Sequence, residues 1–438
     1  MTGSVPDRPD RFDARRAVEV PPPVERVRTT VLPGGLRIVT DTNEQARSAT
    51  LATWVAVGGR DEPDHLSGAS HFLEHLLFKG TETRDARSIA RAVDGVGGDM
   101  NAYTANEHTV YYARVPAGTV DLATDLLLDV VASPALRPEE LEGERGVILE
   151  ELAAVEDDPE DLVAIRLFEG LFPDHPLGRE VLGTTTTIAG LDRAAVAGFF
   201  DDWYTPVNLV VVATGLVDHD ALTEAVAARF GDRRAGAVPV RTPPVAPVLA
   251  RQVEERPVEL VHLALGWRGL AAADPDRFPL AVLNQVLGAG PSSRLFQEVR
   301  EERGLTYGIS SSVGHHVDTG AVTVQCAATA GNAGQVLDLV RQEVARLVAE
   351  GPTEEEVDLA RGALRGGLLM AMEDGATRMV RLGTAMTMRG GVLPVADHLA
   401  RIDAVTVDDV ARVARDVLGG PEVLAAVGPR GTARRLAD

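Results

Sequence analysis

A proline-rich stretch near the middle of the chain, DRRAGAVPVRTPPVAPVLAR from Asp232 to Arg251, divides the 438 residues almost in half. Its four prolines and lack of any amphipathic period are the composition of a stiff, extended linker. A chain of this length exceeds one ordinary core, since domains usually run about 100–200 residues. The order of elements on the two sides of the linker repeats. Before it, a hairpin (Val27–Leu32, a PGG turn, Leu36–Thr40) leads to a strand at Ser48–Val57, and helical periods cover Leu66–Lys79 and Ala86–Val96. A strand at His108–Val115, helical stretches at Thr119–Val131 and Pro138–Phe172, a strand at Asn208–Thr214 and a helix at Asp220–Phe230 complete that half. After it come a strand (Glu259–Trp267), helices (Phe278–Leu287, Ser293–Arg303), strands (Tyr307–His315, Ala321–Ala328) and helices (Ala333–Glu350, Thr353–Met372). The closest internal match pairs IAGLDRAAVAGFF from Ile188 with IDAVTVDDVARVA from Ile402, each followed by an apolar strand ending at Gly215 or Gly428. The expected fold is α+β, two homologous α/β-sandwich domains of roughly 200 residues joined by the linker. The expected divisions are a flexible arm over 1–26, a first domain over 27–231, the linker over 232–251 and a second domain over 252–438.

Charge removes one class of function. Acidic residues outnumber basic ones 65 to 43, a net charge of −22, whereas binding to nucleic acid needs clustered Lys and Arg. The excess serves either as a solvated surface or as an attraction for basic peptides, and composition leaves both open. No apolar stretch reaches the roughly 18 residues of a membrane span, and MTGSVPDRPDRFDARR has no apolar run of the secretory kind, so the expected location is cytoplasmic and without a membrane partner. The single cysteine, Cys326, lies in the strand-like AVTVQCAAT and reads as a small buried hydrophobe with no disulfide partner in the chain.

The sharpest local signal is HFLEH, residues 71–75, inside a helical period. Positions i and i+4 on a helix differ by about 40° around the axis, so His71 and His75 point the same way and can share one ion. Glu74 lies on the same face, where a carboxylate beside the metal suits a general base for water. A lone histidine on a helix is usually an ordinary core or surface residue. Two in H-x-x-E-H spacing on a helix lined by Leu73, Leu76, Leu77 and Phe78 point to zinc. A catalytic zinc takes three protein ligands and keeps a fourth position open. The acidic helix from Pro138 offers Glu139, Glu140, Glu142, Glu144, Glu150 and Glu151 for the third. Residues seven apart differ by only about 20°, so Glu144 and Glu151 share a face and Glu150 is turned about 100° away. Spacing does not say which of the pair binds the ion and which supports a ligand from behind.

These residues resemble the pitrilysin/insulinase family of zinc peptidases, in particular its short-chain branch related to the mitochondrial processing peptidase. The resemblance runs from about Val27 to the end and rests on SHFLEHLLFKGT, DMNAYTANEHTVYY, ERGVILEE, HPLGREVLGT and SSRLFQEVREERGLTYGISS. It implies a metalloendopeptidase with one zinc per chain, Glu151 as third ligand and Glu144 as its partner. It also implies that the strand beginning Asn101-Ala102 pairs with an extended peptide, in keeping with the way sheet edges bind peptides through main-chain hydrogen bonds. Arg300 and Tyr307 match the family's Arg/Tyr pair, the Arg to clamp a substrate carbonyl and the Tyr to stabilise an oxyanion. The second half has LAVLNQVL where the first has its metal helix, so metal is expected in the first half only. The family's four-domain chamber implies a homodimer that acts on peptides. The competing expectation is a non-catalytic scaffold or partner subunit of the same fold, against which the intact His71, Glu74, His75, Glu151, Arg300 and Tyr307 argue.

Overall fold

The computed structural model describes residues 21–247, 250–431 and 436, so residues 1–20 of the expected arm lie outside the described residues. Within 21–26 the chain is already fastened, because Glu25 accepts hydrogen bonds from Arg381 and from the Val395 backbone.

The first half contains β1 (Val27–Val31), β2 (Arg37–Thr42), β3 (Ser48–Val55), β4 (Asp99–Thr104), β5 (Thr109–Pro116) and β6 (Leu209–Gly215). They form one sheet in the order β1-β2-β6-β3-β5-β4. The second half contains β7 (Ala250–Glu255), β8 (Leu260–Gly269), β9 (Thr306–His315), β10 (Gly320–Thr329) and β11 (Val423–Gly428), in the order β7-β11-β8-β10-β9. Without β1 the two sheets have the same connectivity. In each, the first strand lies parallel to the last, the other neighbours are antiparallel, and the third strand forms an outer edge. The duplication read from element order is therefore a duplication of topology, with β4 and β9 as equivalent edges. The strand β7 begins inside the segment read as linker, because its ARQVEE sequence is polar and half-buried and carries no strand alternation strong enough to mark it.

Each half also lends a helix to the other's sheet. Helix Pro159–Leu171 packs on β7, β8 and β11, where Leu162, Val163, Leu167 and Leu171 join Ala264, Val423, Ala425 and Val427 in one core. Helix Gly375–Met388 packs on β3 and β6, with Met379, Leu382 and Met386 against Val39, Trp54, Val210 and Val212. A β carbon at Gly383 would lie 2.0 Å from the Trp54 ring, so glycine is what lets that helix seat. Arg378 forms a buried ion pair with Asp41 at the same junction.

The long period over Pro138–Phe172 resolves into two helices, Pro138–Asp157 and Pro159–Leu171. Asp158 is extended (φ −82°, ψ 117°) and its carboxylate accepts from the Glu160 N–H at 2.7 Å, while Pro159 takes the first helical position. Proline has no N–H to continue the earlier helix but suits the first turn of a new one. The break frees the second helix to cross to the other half. Among the described residues no helix is long and apolar enough to cross a membrane.

Candidate metal centre

The helix carrying HFLEH is short, Ala69–Leu77, and is held at both its start and its buried face. Gly68 has φ +94°, and a β carbon there would come within 2.6 Å of the Leu182 carbonyl oxygen, so only glycine fits the entry. Glu62, itself buried, accepts from the Gly68 N–H at 2.7 Å and the Ser70 N–H at 2.6 Å, which satisfies donors that a helix start leaves open. Phe72, Leu73, Leu76 and Leu77 face the core. That fixes the rotation of the helix, and His71 and His75 emerge together with ring centroids 4.7 Å apart.

The acidic helix Pro138–Asp157 crosses this helix and brings Glu151 to the two rings. Its Oε2 lies 3.7 Å from His71 Nε2 and 3.5 Å from His75 Nε2, and all three donor atoms lie within 4.8 Å of one another. An ion bound tetrahedrally at about 2.0–2.1 Å requires ligand atoms about 3.4 Å apart, so this donor set fits zinc in separation and in chemical type. Glu144, one face-repeat earlier, reaches the other side of the same ring: His75 Nδ1 donates to Glu144 Oε2 at 3.0 Å, and Lys79 pairs with Oε1 at 2.5 Å. The hydrogen bond at Nδ1 sets the tautomer that leaves the Nε2 lone pair toward Glu151. His71 is held neutral, its pKa pushed down to about 4 by burial and then by His75, and its Nδ1 has no partner among the described residues. Glu150 projects to solvent on another face.

Glu74 stands beside this triad without belonging to it. Thr104, on β4, donates to Glu74 Oε2 at 2.6 Å, and burial raises the Glu74 pKa above the ordinary carboxylate range. Thr104, Lys79 and Glu62 are the residues that spacing did not bring out. Two of them sit inside the motifs quoted above, yet each acts on a group that another element supplies. Asn101 and Ala102 lie on the outer edge of the first sheet, with the Ala102 N–H donating to the Asn101 side-chain oxygen at 2.8 Å. Arg300 sits in a π turn, Phe296–Glu301, its guanidinium 4.7 Å from the Phe296 ring and 5.1 Å from the Tyr307 ring. Tyr307 is 90% exposed at the start of the edge strand β9. Among the described residues no hydrogen bond or ion pair joins Arg300 or Tyr307 to the metal cluster; the recorded ion-pair partner of Arg300 is its neighbour Glu301.

Two imidazoles from one helix, a carboxylate from another and an acid poised beside them on a duplicated α+β scaffold define a zinc-peptidase type of centre. Residues 37–185 match the family described as Insulinase (Peptidase family M16), and residues 190–364 match the Peptidase M16 inactive domain. The chain belongs to this M16 peptidase family. It is 43% identical to an uncharacterized zinc protease of Streptomyces coelicolor over 92% of this chain and 90% of that one. It is 41% identical to a protein of the same description from Mycobacterium tuberculosis (96% and 98% covered), and 32% to one from Bacillus subtilis (91% and 97%). The fold is shared with the crystal structure of a peptidase M16 inactive domain from Pseudomonas fluorescens (TM-score 0.86, 23% identity, 92% and 98% covered). A protease from Helicobacter pylori has the same fold (TM-score 0.86, 21% identity, 93% and 100% covered). The matched "inactive" segment begins after the last residue of the metal cluster.

Proposed function

We propose that the chain is a zinc-dependent metalloendopeptidase that cleaves extended peptides or flexible protein segments. The observation that carries this reading is the convergence of His71 Nε2, His75 Nε2 and Glu151 Oε2 at 3.5–3.7 Å contacts, with Glu74 alongside but free of them. A zinc ion held there would supply Lewis acidity, lowering the pKa of water and polarising a carbonyl. The chain's own groups do the rest. Thr104 fixes one oxygen of Glu74, which leaves the other to accept a proton from water and return it to the leaving amine. Glu144 and Lys79 hold His75 in register. The β4 edge suits an extended chain, whose carbonyl would take the Ala102 N–H from the Asn101 side chain. Arg300 and Tyr307 would position the substrate and stabilise the oxyanion. Because they lack any bond to the cluster of their own chain, we assign them to the zinc of a partner copy in a homodimer. The excess of acidic residues, 65 against 43, favours basic peptides.

Metal analysis of the full chain combined with a digest of unfolded peptides tests this reading. The expected result is about one zinc per chain and internal peptide cleavage that a chelator stops. Absence of zinc, or zinc without cleavage, would contradict it.

A further inference from the structure

In a chain with 65 acidic and 43 basic residues, one region of the second half gathers several arginines of which most form no ion pair among the described residues, with Asp274 the acid that acts on Arg277. Phe278, at the start of helix Arg277–Leu287, is its centre. The Arg277 guanidinium lies 4.5 Å from the Phe278 ring centroid, the Arg401 guanidinium 5.6 Å, and the His398 ring 5.2 Å at 82°. Arg389 follows the end of helix Gly375–Met388 and is half-buried. Among the described residues Arg277, Arg389 and Arg401 have no carboxylate at ion-pair distance, and Arg381 alone is paired, with Glu25 at 2.7 Å.

The cost of this arrangement shows in the groups themselves. Burial first draws both Arg277 and Arg389 below the ordinary guanidinium range, joined at Arg277 by repulsion from Arg401 that outweighs the pull of Asp274, and at Arg389 by repulsion from Arg277 and Arg381. His398 is pushed down to about 4 by burial and by Arg381, Arg277, Arg389 and Arg401, so at neutral pH it is uncharged. Stacking on Phe278 offsets part of this cost for Arg277 and Arg401, and it does nothing for Arg389. Like charges gathered here without ion-pair partners, Arg277 and Arg389 half-buried and Arg401 exposed, form a prepared anion site, since a bound anion relieves their repulsion and offsets the desolvation of the two half-buried groups.

We propose that this cluster binds a multivalent phosphate-type oxyanion, either free inorganic phosphate or the phosphoryl end of a nucleotide. Three unpaired guanidiniums call for more than the single charge of a carboxylate, and their planar forks match phosphate oxygens in pairs. The Phe278 ring is already covered by cations, so recognition falls on the phosphoryl group. The region is separate from the Arg300/Tyr307 pair: His315, the β9 residue on which Arg277 and Arg389 act, is eight positions from Tyr307, about 27 Å along a strand.

The test uses the full zinc-loaded chain at about 0.15 M salt, titrated calorimetrically with inorganic phosphate, ADP and a tetraglutamate peptide. Phosphate or ADP should bind, and R389Q and R401Q should each weaken binding about tenfold or more. Arg401 is exposed, so R401Q keeps the fold even where R389Q does not. Saturation should also raise the His398 pKa by about one unit or more, read by NMR of labelled histidine. Tighter binding of ADP identifies a nucleotide and equal binding identifies free phosphate, and both support the proposal. It is overturned by binding of neither, by affinities unchanged in both variants, or by binding of tetraglutamate alone.

Discussion

Glu144 sits between two donors, the His75 ring N–H at 3.0 Å and the Lys79 ammonium, and that position separates its role from that of Glu151. Glu151 presents an oxygen to both Nε2 atoms, whereas Glu144 touches only the far side of one ring. Glu151→Gln should therefore lose zinc on dialysis against a chelator. Glu144→Gln should cost about 10–100-fold in zinc affinity or activity, the usual size of such a loss behind a ligand. Glu150→Gln should keep its zinc, because its side chain leaves the helix on a solvent face. Stripping by the Glu150 change and retention by the Glu151 change would reverse the assignment. That His71, Glu74 and His75 lie together was legible in the sequence, because a helical period is local geometry. Thr104 on Glu74 was not, because a strand thirty residues away brings it in and no spacing rule reaches across a tertiary contact, and Glu62 under Gly68 was not, because the turn that folds it back onto the helix start follows no period.

At the scale of elements, the turn between β4 and β5 fastens the β4 edge of the first sheet to the rest of the molecule. Glu107 in that turn pairs with Arg60 at 2.6 Å and accepts from the Val317 N–H at 2.9 Å, while Arg60 grips Asp318 through two contacts of 2.7 Å. Arg241 of the linker donates to Asp61 at 2.8 Å and to the Glu107 carbonyl at 3.0 Å. The proline-rich segment is thus pinned at Arg241, which composition could not show. Burial alone would raise the Glu107 carboxyl, but His316, Arg241 and Arg60 outweigh it and draw the pKa down to about 2. A carboxyl lowered by folding stabilises the folded state above its unfolded pKa, near 4.3, and that contribution disappears as pH falls toward 2. Glu107→Gln should lower the unfolding free energy at pH 7 by about 3 kcal/mol, since it leaves buried Arg60 partly uncompensated. Denaturant titrations should show the gap to the unchanged protein closing between about pH 4 and 2. Equal stability at pH 7 would mean that the network does not hold the halves together. The break at Asp158 teaches a related lesson. Pro159 was visible, but helical periodicity on both sides masked it, and only the destination of the second helix on the other sheet shows why the chain must turn there.

For the whole molecule, the repeated order of strands and helices was enough to expect two like domains. The exchange of helices between the sheets was not, because helix Gly375–Met388 carries the same kind of apolar stripe whichever sheet it covers. One chain offers two equivalent edges, β4 and β9, with the metal cluster beside the first and Tyr307 on the second. If Tyr307 serves the zinc of a partner copy, a mixed dimer of Glu74→Gln and Tyr307→Phe chains has one site with both defects and one with neither. It should recover about half the activity per dimer, although each pure dimer is nearly inactive. A verified mixed dimer without recovery would place the pair on its own chain's site or remove it from the reaction. The central claim is that Glu74 is the base beside a zinc held by His71, His75 and Glu151, and Glu74→Gln tests it most directly when zinc content and peptide cleavage are measured on the same sample. The account expects unchanged zinc per chain with cleavage reduced by about 10²–10⁴-fold, and zinc retention with near-normal turnover would contradict it.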